Sequence, residues 1–232
     1  MSLPKEFNGE YYDESYFWEA SKGYRKKDGS FATFGYLKEQ DWKGWITLAK
    51  WLRNNLKIKS LLDVGCGTGG FVKACLNEKI DVYGMDYSRW AIKHSIAPKD
   101  RVWIGNAIEK LDYIGKKFFD LVCGIDLLEH VYEEDLDRII KNMKETSSKW
   151  LLFKICTAQK GDEVKAFKRG EEISREWEWL AISGHVCSKM PEFWRNKLEN
   201  KHWKIHDELS DKLIIDLQLG EDWRCSLILK KR

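Results

Sequence analysis

Three prolines in 232 residues leave few rigid turns, and there is no Pro/Gly-rich linker, low-complexity segment or internal repeat. That excludes a solenoid or a string of small modules and points to one compact unit. No apolar run approaches the roughly 20 residues of a membrane-spanning helix, and the most apolar stretch, 150–156, is broken by Lys154. The first 20 residues mix Lys5, Glu6, Glu10, Asp13 and Glu14 with aromatics and lack the apolar core of a secretory signal, so a cytoplasmic location is expected. A dominant charge is missing too: 40 Lys+Arg against 37 Asp+Glu leave a net +3, which lacks the strongly basic field of a nucleic-acid-binding protein. The six cysteines (Cys66, Cys75, Cys123, Cys156, Cys187, Cys225) form no CxxC pair and several fall in apolar segments, the pattern of free buried thiols. His202 and His206 have no cysteine nearby, so no zinc or other metal site is expected.

What is abundant is aromatic. Phe7, Tyr11, Tyr12, Tyr16, Phe17, Trp18, Tyr24, Phe31, Phe34 and Tyr36 crowd residues 1–40 around a polar turn at 26–30, and this stretch reads as a cap outside the main sheet. From residue 41, Trp42, Trp45, Ile46, Ala49, Leu52 and Leu56 recur at helical spacing. Strands then follow at 58–64, 81–85, 102–104, 118–125 and 150–156, with helices between them marked by Phe71, Val72, Cys75 and Leu76, by Ala91, Ile92 and Ile96 after a Ser88 N-cap, and by Leu136, Ile139, Ile140 and Met143. Strands alternating with helices imply βαβ crossovers and a parallel sheet covered on both faces. The polar stretch after Cys156 reads as an excursion over 157–190, placed where a lid could sit. Pro191 opens a helix, and a strand at 203–206 precedes two alternating stretches, 213–219 and 223–230, which predict an antiparallel hairpin turning at 220–222.

The chemistry concentrates at strand ends. A strand that stops at Asp63 delivers the glycines Gly65, Gly67 and Gly69 to the crevice where open α/β sheets bind ligands, and the following helix offers its N-terminal N–H groups to an anion. Gly65, Gly67 and Gly70 also satisfy G-x-G-x-x-G with Asp86 downstream, so the spacing alone leaves a nicotinamide cofactor open.

The wider pattern is more specific. Leu61-Leu62-Asp63-Val64-Gly65-Cys66-Gly67-Thr68-Gly69 resembles motif I of the class I S-adenosylmethionine-dependent methyltransferases, and Tyr83-Gly84-Met85-Asp86-Tyr87-Ser88 is similar to the end of that family's second strand. Gly105-Asn106-Ala107 resembles the turn at the adenine edge, where the family more often has Asp than Asn106, and residues 119–131 resemble the fourth strand and turn of its small-molecule and glycan-directed branch. The resemblance covers roughly residues 58–156; Gly184-His185-Val186 and Trp203-Lys204-Ile205 extend it loosely toward the post-fifth-strand helix and sixth strand. It implies a Rossmann-like, seven-stranded, mostly parallel sheet with helices on both faces and an antiparallel C-terminal hairpin, a methyltransferase domain over 41–232, and S-adenosylmethionine as cofactor. It also implies cofactor contacts from Asp63, Gly65, Cys66, Gly67, Gly69, Asp86, Tyr87, Asn106, Ala107 and Asp126, with Asp86 on the ribose hydroxyls.

Methyl transfer by in-line displacement needs orientation above all, and a general base when the acceptor is a hydroxyl, thiol or protonated amine. Glu129, His130 and His185 are the catalytic candidates, with Asp126 beside them; Glu129 and His130 could equally cap the next helix, and His185 could structure its loop. The N-terminal tyrosines fit either an acceptor-pocket wall or a seal on the core. The expected substrate is a small molecule or glycan, accepting at oxygen. Asp126-Leu127-Leu128-Glu129 stands where amino-directed nucleic-acid enzymes carry a proline-containing tetrad, which disfavours a base amine. An RNA- or protein-directed methyltransferase, a nicotinamide-dependent oxidoreductase and a non-catalytic cofactor-binding subunit are the alternatives, the RNA reading resting on Lys22, Arg25, Lys26 and Lys27; oligomeric state is left open.

Overall fold

The computed structural model describes residues 7–17, 24–25, 31–32, 40–109, 111, 118–158, 164–219 and 225–232. The expected cap residues Trp18, Phe34 and Tyr36, the lysines Lys22, Lys26 and Lys27, and the turns at 26–30 and 220–222 lie outside these. The main sheet takes its strands in chain order as β1 (Ser60–Val64), β2 (Asp81–Asp86), β3 (Val102–Ile104), β4 (Phe119–Ile125), β5 (Ser147–Lys154), β6 (Trp203–Ile205) and β7 (Ser226–Lys231). Across the sheet the order is β6-β7-β5-β4-β1-β2-β3. Pairing is parallel from β3 through β5, and antiparallel where β7 meets β5 and β6.

Every residue of β1 is buried, and β4 is buried except at Asp120, as a parallel strand covered on both faces requires. One face is covered by α2 (Gln40–Leu56) and α3 (Gly70–Asn77), which bury Leu48, Leu52, Leu56, Phe71, Val72 and Cys75 with Leu61, Val82 and Ile228. Onto the other face α5 (Leu136–Thr146) turns Leu136, Ile139, Ile140 and Met143, at the three- and four-residue spacing read from the sequence, with Trp194 of α7 (Pro191–Leu198) beside them. Between β2 and β3 lies α4 (Arg89–Lys93), capped by Ser88, whose hydroxyl accepts the Ala91 N–H at 2.9 Å. It ends before Ile96, whose N–H instead donates to the Thr68 carbonyl at 2.8 Å, tying this turn to the glycine loop.

The C-terminal hairpin is where the structure corrects the sequence. Residues 213–219 are not a strand: Asp207–Asp216 form helix α8, so β6 and β7 pair antiparallel across a helical connection. Leu209, Leu213 and Leu217 repeat every fourth residue and pack into one core, whereas Ile215, an inward position in a strand reading, is 72% exposed. Asp207 and Glu208 in the first turn suit the helix dipole.

A third, smaller cluster joins the N-terminal segment to the excursion. Phe7 and Tyr11 pack with Tyr132, Phe167, Leu180, Ala181 and Val186, around the short helices α1 (Glu14–Phe17) and α6 (Glu178–Ile182). Ser88, while capping α4, also donates its hydroxyl to the Tyr12 carbonyl at 2.5 Å, so the segment is pinned over the C-terminal ends of the parallel strands. Five cysteines are buried and free; Cys156 is exposed. No described helix is long and apolar enough to cross a membrane.

Candidate functional site

Because β1 is followed on one side by β2 and β3 and on the other by β4 and β5, the chain reverses direction across the sheet between β1 and β4, and a crevice opens at their C-terminal ends. A cavity of about 340 Å³ occupies it. Asp63, Gly65, Cys66 and Gly67 line it from the end of β1, Asp86 and Tyr87 from β2, Asn106 and Ala107 from β3, and Asp126 and His130 from β4. Nine of the ten residues expected to touch the cofactor thus meet in one wall; Gly69 stands behind it as the N-cap of α3.

The loop after β1 is shaped by its glycines. Gly65, Gly67 and Gly69 have φ of 83°, 53° and 77°, the left-handed region that other residues enter at a cost. Gly65 and Cys66 both donate N–H bonds to the Met85 carbonyl, at 2.8 and 2.9 Å, which folds the loop against β2. No side chain caps α3 and its first turn carries no acid, so its N-terminal dipole is not neutralised by the chain itself.

Asp86 is the hinge of the arrangement. Its two oxygens accept the Gly67 N–H at 2.8 Å and the Ser88 N–H at 2.7 Å, and each keeps a lone pair for a ligand. Burial raises its pKa, opposed by these backbone bonds. Asp63 lies beneath the loop at 3% exposure and accepts the Cys123 thiol at 3.3 Å; burial lifts its pKa to about 7. Asn106 spends part of its amide oxygen on the Ile108 N–H at 3.0 Å, and its turn is stapled from α5 by the Asn142 amide, 3.0 Å from the Ala107 and Ile108 carbonyls and 2.7 Å from that of Glu109. Asn142 was invisible in the sequence because its partners are carbonyls more than thirty residues away.

At the other end the cavity meets the N-terminal segment and the turn after β4. Asp126 adopts φ 50° and pairs with Lys154, which is 7% exposed at the end of β5. Glu129 does not cap a helix: α5 starts after Asp135 with no side-chain cap, and Glu129 Oε1 instead accepts the Cys156 N–H at 2.8 Å. Its Oε2 is buried without a hydrogen-bond partner, and burial pushes its pKa well up. His130 Nδ1 lies 3.1 Å from the Gly184 carbonyl, which can only accept, so this nitrogen carries the proton and Nε2 is left as the lone-pair atom. Burial lowers the His130 pKa to about 4 and that of His185 well below its ordinary range. The two rings stand 4.9 Å apart, near perpendicular, and the Tyr12 hydroxyl lies 3.4 Å from His130 Nδ1. The structure therefore brings Glu129, His130 and His185 together. Lys154 and Arg169, the latter lining the cavity with its guanidinium 4.6 Å over the Tyr132 ring, carried no role in the sequence reading; a lone cation inside an apolar strand was the available signal for Lys154.

The site fits a nucleoside cofactor with a carboxylate: an uncapped helix N-terminus, an acid with free lone pairs on the next strand, and a cavity walled partly by Ile108 and Leu127. A family model described as a methyltransferase domain matches residues 38–207. The plantazolicin methyltransferase BamL, solved with a triazolic desmethylPZN analog and SAH, is similar at 16% identity and TM-score 0.54 over 84% of this chain and 86% of its own. An S-adenosylmethionine-dependent methyltransferase from Archaeoglobus fulgidus is similar at 20% identity and TM-score 0.52 over 84% of this chain and 99% of its own. The chain spans only about half of another similar structure, a protein from Pyrococcus horikoshii OT3, at 21% identity, TM-score 0.42, and 50% of this chain against 55% of that one. No curated protein sequence matches. The likenesses to BamL and to the Archaeoglobus fulgidus enzyme bear on the fold, and the match over 38–207 bears on the family: the chain belongs to the methyltransferase-domain family, the class I S-adenosylmethionine-dependent methyltransferases.

Proposed function

We propose that this protein moves a methyl group from S-adenosylmethionine to an oxygen of a small molecule or glycan. The observation that carries the reading is that one cavity runs from Asp86 and the glycine loop after Asp63 to His130 beneath the N-terminal tyrosines, so cofactor loop and acceptor end share a single space. S-adenosylmethionine supplies an electrophilic methyl group on a positively charged sulfur. The α3 N-terminus takes a carboxylate, Asp86 takes ribose hydroxyls with its remaining lone pairs, and Asn106 and Ala107 border the base. Asp126 is held by Lys154 at the centre.

The chain's remaining task is to align an acceptor opposite the methyl–sulfur bond and exclude water. We assign that to the N-terminal cap, residues 1–40, and to the excursion at 157–190, which the shared cluster of Phe7, Tyr11, Phe167 and Leu180 supports. We treat 41–232 as the methyltransferase domain, a reading the family match over 38–207 supports as far as residue 207. Glu129, His130 and His185 form the catalytic group that handles the acceptor's proton. The near balance of charge, +3 overall, favours a small-molecule or glycan acceptor over nucleic acid, and the location we propose is cytoplasmic.

Isothermal calorimetry with S-adenosylmethionine and with a nicotinamide dinucleotide tests the cofactor, and turnover to S-adenosylhomocysteine across hydroxylated acceptors tests the reaction. Binding of the nicotinamide in place of S-adenosylmethionine refutes the proposal. Intact cofactor binding with no turnover on any acceptor favours a non-catalytic subunit.

A further inference from the structure

A carboxylate and two imidazoles at the acceptor end do more than a single proton transfer requires. One ligand atom from each of Glu129, His130 and His185 lies within 4.8 Å of the other two, a metal-sized group found among the described residues. Each member is prepared for a cation in a different way. Glu129 has one oxygen anchored by the Cys156 N–H while Oε2 is buried with no hydrogen-bond partner, a state that costs free energy until something positive meets it. The nearby cation, Lys154, is paired with Asp126 and its charge also reaches Glu129, but it makes no hydrogen bond to Oε2. His130 donates Nδ1–H to the Gly184 carbonyl, which fixes the ring and the tautomer and leaves Nε2 as a donor atom; metal-binding histidines are oriented by such second bonds. His185 packs its ring 4.9 Å from that of His130. The turn that brings it there is tight: Gly184 has φ 75°, and a Cβ on it would come within 3.0 Å of His130 Nδ1.

Resting on the acceptor-end reading above, we infer that Glu129, His130 and His185 bind a divalent cation of the zinc class, with a coordination position open to the cavity for the acceptor hydroxyl. Two imidazoles and one carboxylate suit a borderline ion, which holds its nitrogen and oxygen ligands at about 2.0–2.2 Å and leaves the fourth position of a tetrahedron free. Of the three, His130 lines the cavity, so the group borders the space assigned to the acceptor. An ion there lowers the pKa of a bound hydroxyl so that its proton passes to water, which a buried imidazole alone does poorly. The acceptor class narrows accordingly to molecules that present a hydroxyl oxygen as ligand.

The test uses the full chain, stripped with a chelator and titrated with zinc chloride alone, with manganese chloride in parallel. Bound metal is counted by atomic emission after gel filtration, and S-adenosylmethionine binding is measured separately by calorimetry. One zinc per chain is expected, with the apparent affinity falling on the order of 100-fold in Glu129→Gln and in His185→Gln. His185→Gln serves should the buried Glu129 variant fail to fold, and a zinc-induced rise in the melting temperature of the wild type gives an independent reading. Cofactor binding without zinc uptake, or zinc uptake unchanged in His185→Gln, overturns the inference and leaves the methyltransferase reading standing. Zinc uptake at this group without cofactor binding supports the metal site and refutes the cofactor assignment instead.

Discussion

Asp63 is the group whose environment can be read most directly as a free energy. It lies at 3% exposure under the glycine loop, with a thiol as its hydrogen-bond donor, and burial raises its pKa from 3.8 to about 7. A carboxyl whose folded pKa is raised contributes its stability below the unfolded value and loses it as pH climbs through the folded one, at about 1.4 kcal/mol per pH unit. Between pH 4 and pH 8 the loss is about 4 kcal/mol. His130 acts in the opposite sense: with its pKa lowered to about 4, its contribution is present above 6.5 and disappears on acidification. The wild-type curve mixes the two, so the informative quantity is the difference between wild type and Asp63→Asn, in which the amide oxygen can still accept the Cys123 thiol. Urea unfolding at half-unit intervals from pH 4 to 8 should show wild type losing about 4 kcal/mol relative to the variant, most of it below pH 7. A flat difference across that range would refute the claim that Asp63 is buried without adequate solvation.

Three further variants probe the other supports. Lys154→Met leaves Asp126 unpaired and should cost about 3 kcal/mol in urea unfolding, with Lys154→Met/Asp126→Asn recovering most of it; equal losses in the single and double variants would mean the pair is not coupled. Gly184→Ala forces a side chain into φ 75° and against His130, so a loss of about 1–2 kcal/mol is expected, together with weaker turnover at unchanged cofactor affinity. Asn142→Ala removes the staple on the turn after β3; calorimetry should show S-adenosylmethionine binding weakened by roughly tenfold, the equivalent of one lost hydrogen bond, with little change in acceptor KM.

The parallel half of the fold was legible because it obeys a strong constraint. Strands buried on both faces are mostly apolar, and 58–64 and 118–125 are so apart from Lys59, Ser60, Asp63 and Asp120, so their ends fell within two residues of β1 and β4. The C-terminal part obeys a weaker one. In 213–219 the apolar residues Leu213, Ile215, Leu217 and Leu219 alternate like a strand, while Leu209, Leu213 and Leu217 also keep a helical period. Two periods shared the same residues, and burial chose: only the helix lets Leu213 reach the core at no exposure while Ile215 faces water.

At the site, residue types were legible and pairings were not. A lysine in an apolar strand must find a carboxylate, yet Asp120, Asp126 and Glu129 all lie within one neighbouring segment. Register decides among them. Lys154 stands opposite Ile125 in the β4–β5 ladder, and the Asp126 N–H continues that ladder onto the Lys154 carbonyl at 2.9 Å, which puts Asp126 beside the lysine and Asp120 at the far end of the strand. Asp120 is occupied there by the Lys59 and Ser60 N–H groups, at 2.6 and 3.2 Å. Glu129, one turn further on, is carried past Lys154 to the Cys156 N–H. Lys154 pairs with Asp126 while its charge also reaches Glu129, and one Glu129 oxygen lies within 4.8 Å of a nitrogen of each imidazole. The same register that pairs Lys154 with Asp126 keeps the lysine charge within reach of Glu129 and sets that buried carboxyl beside His130 and His185, which is the composition the proposed metal site draws on.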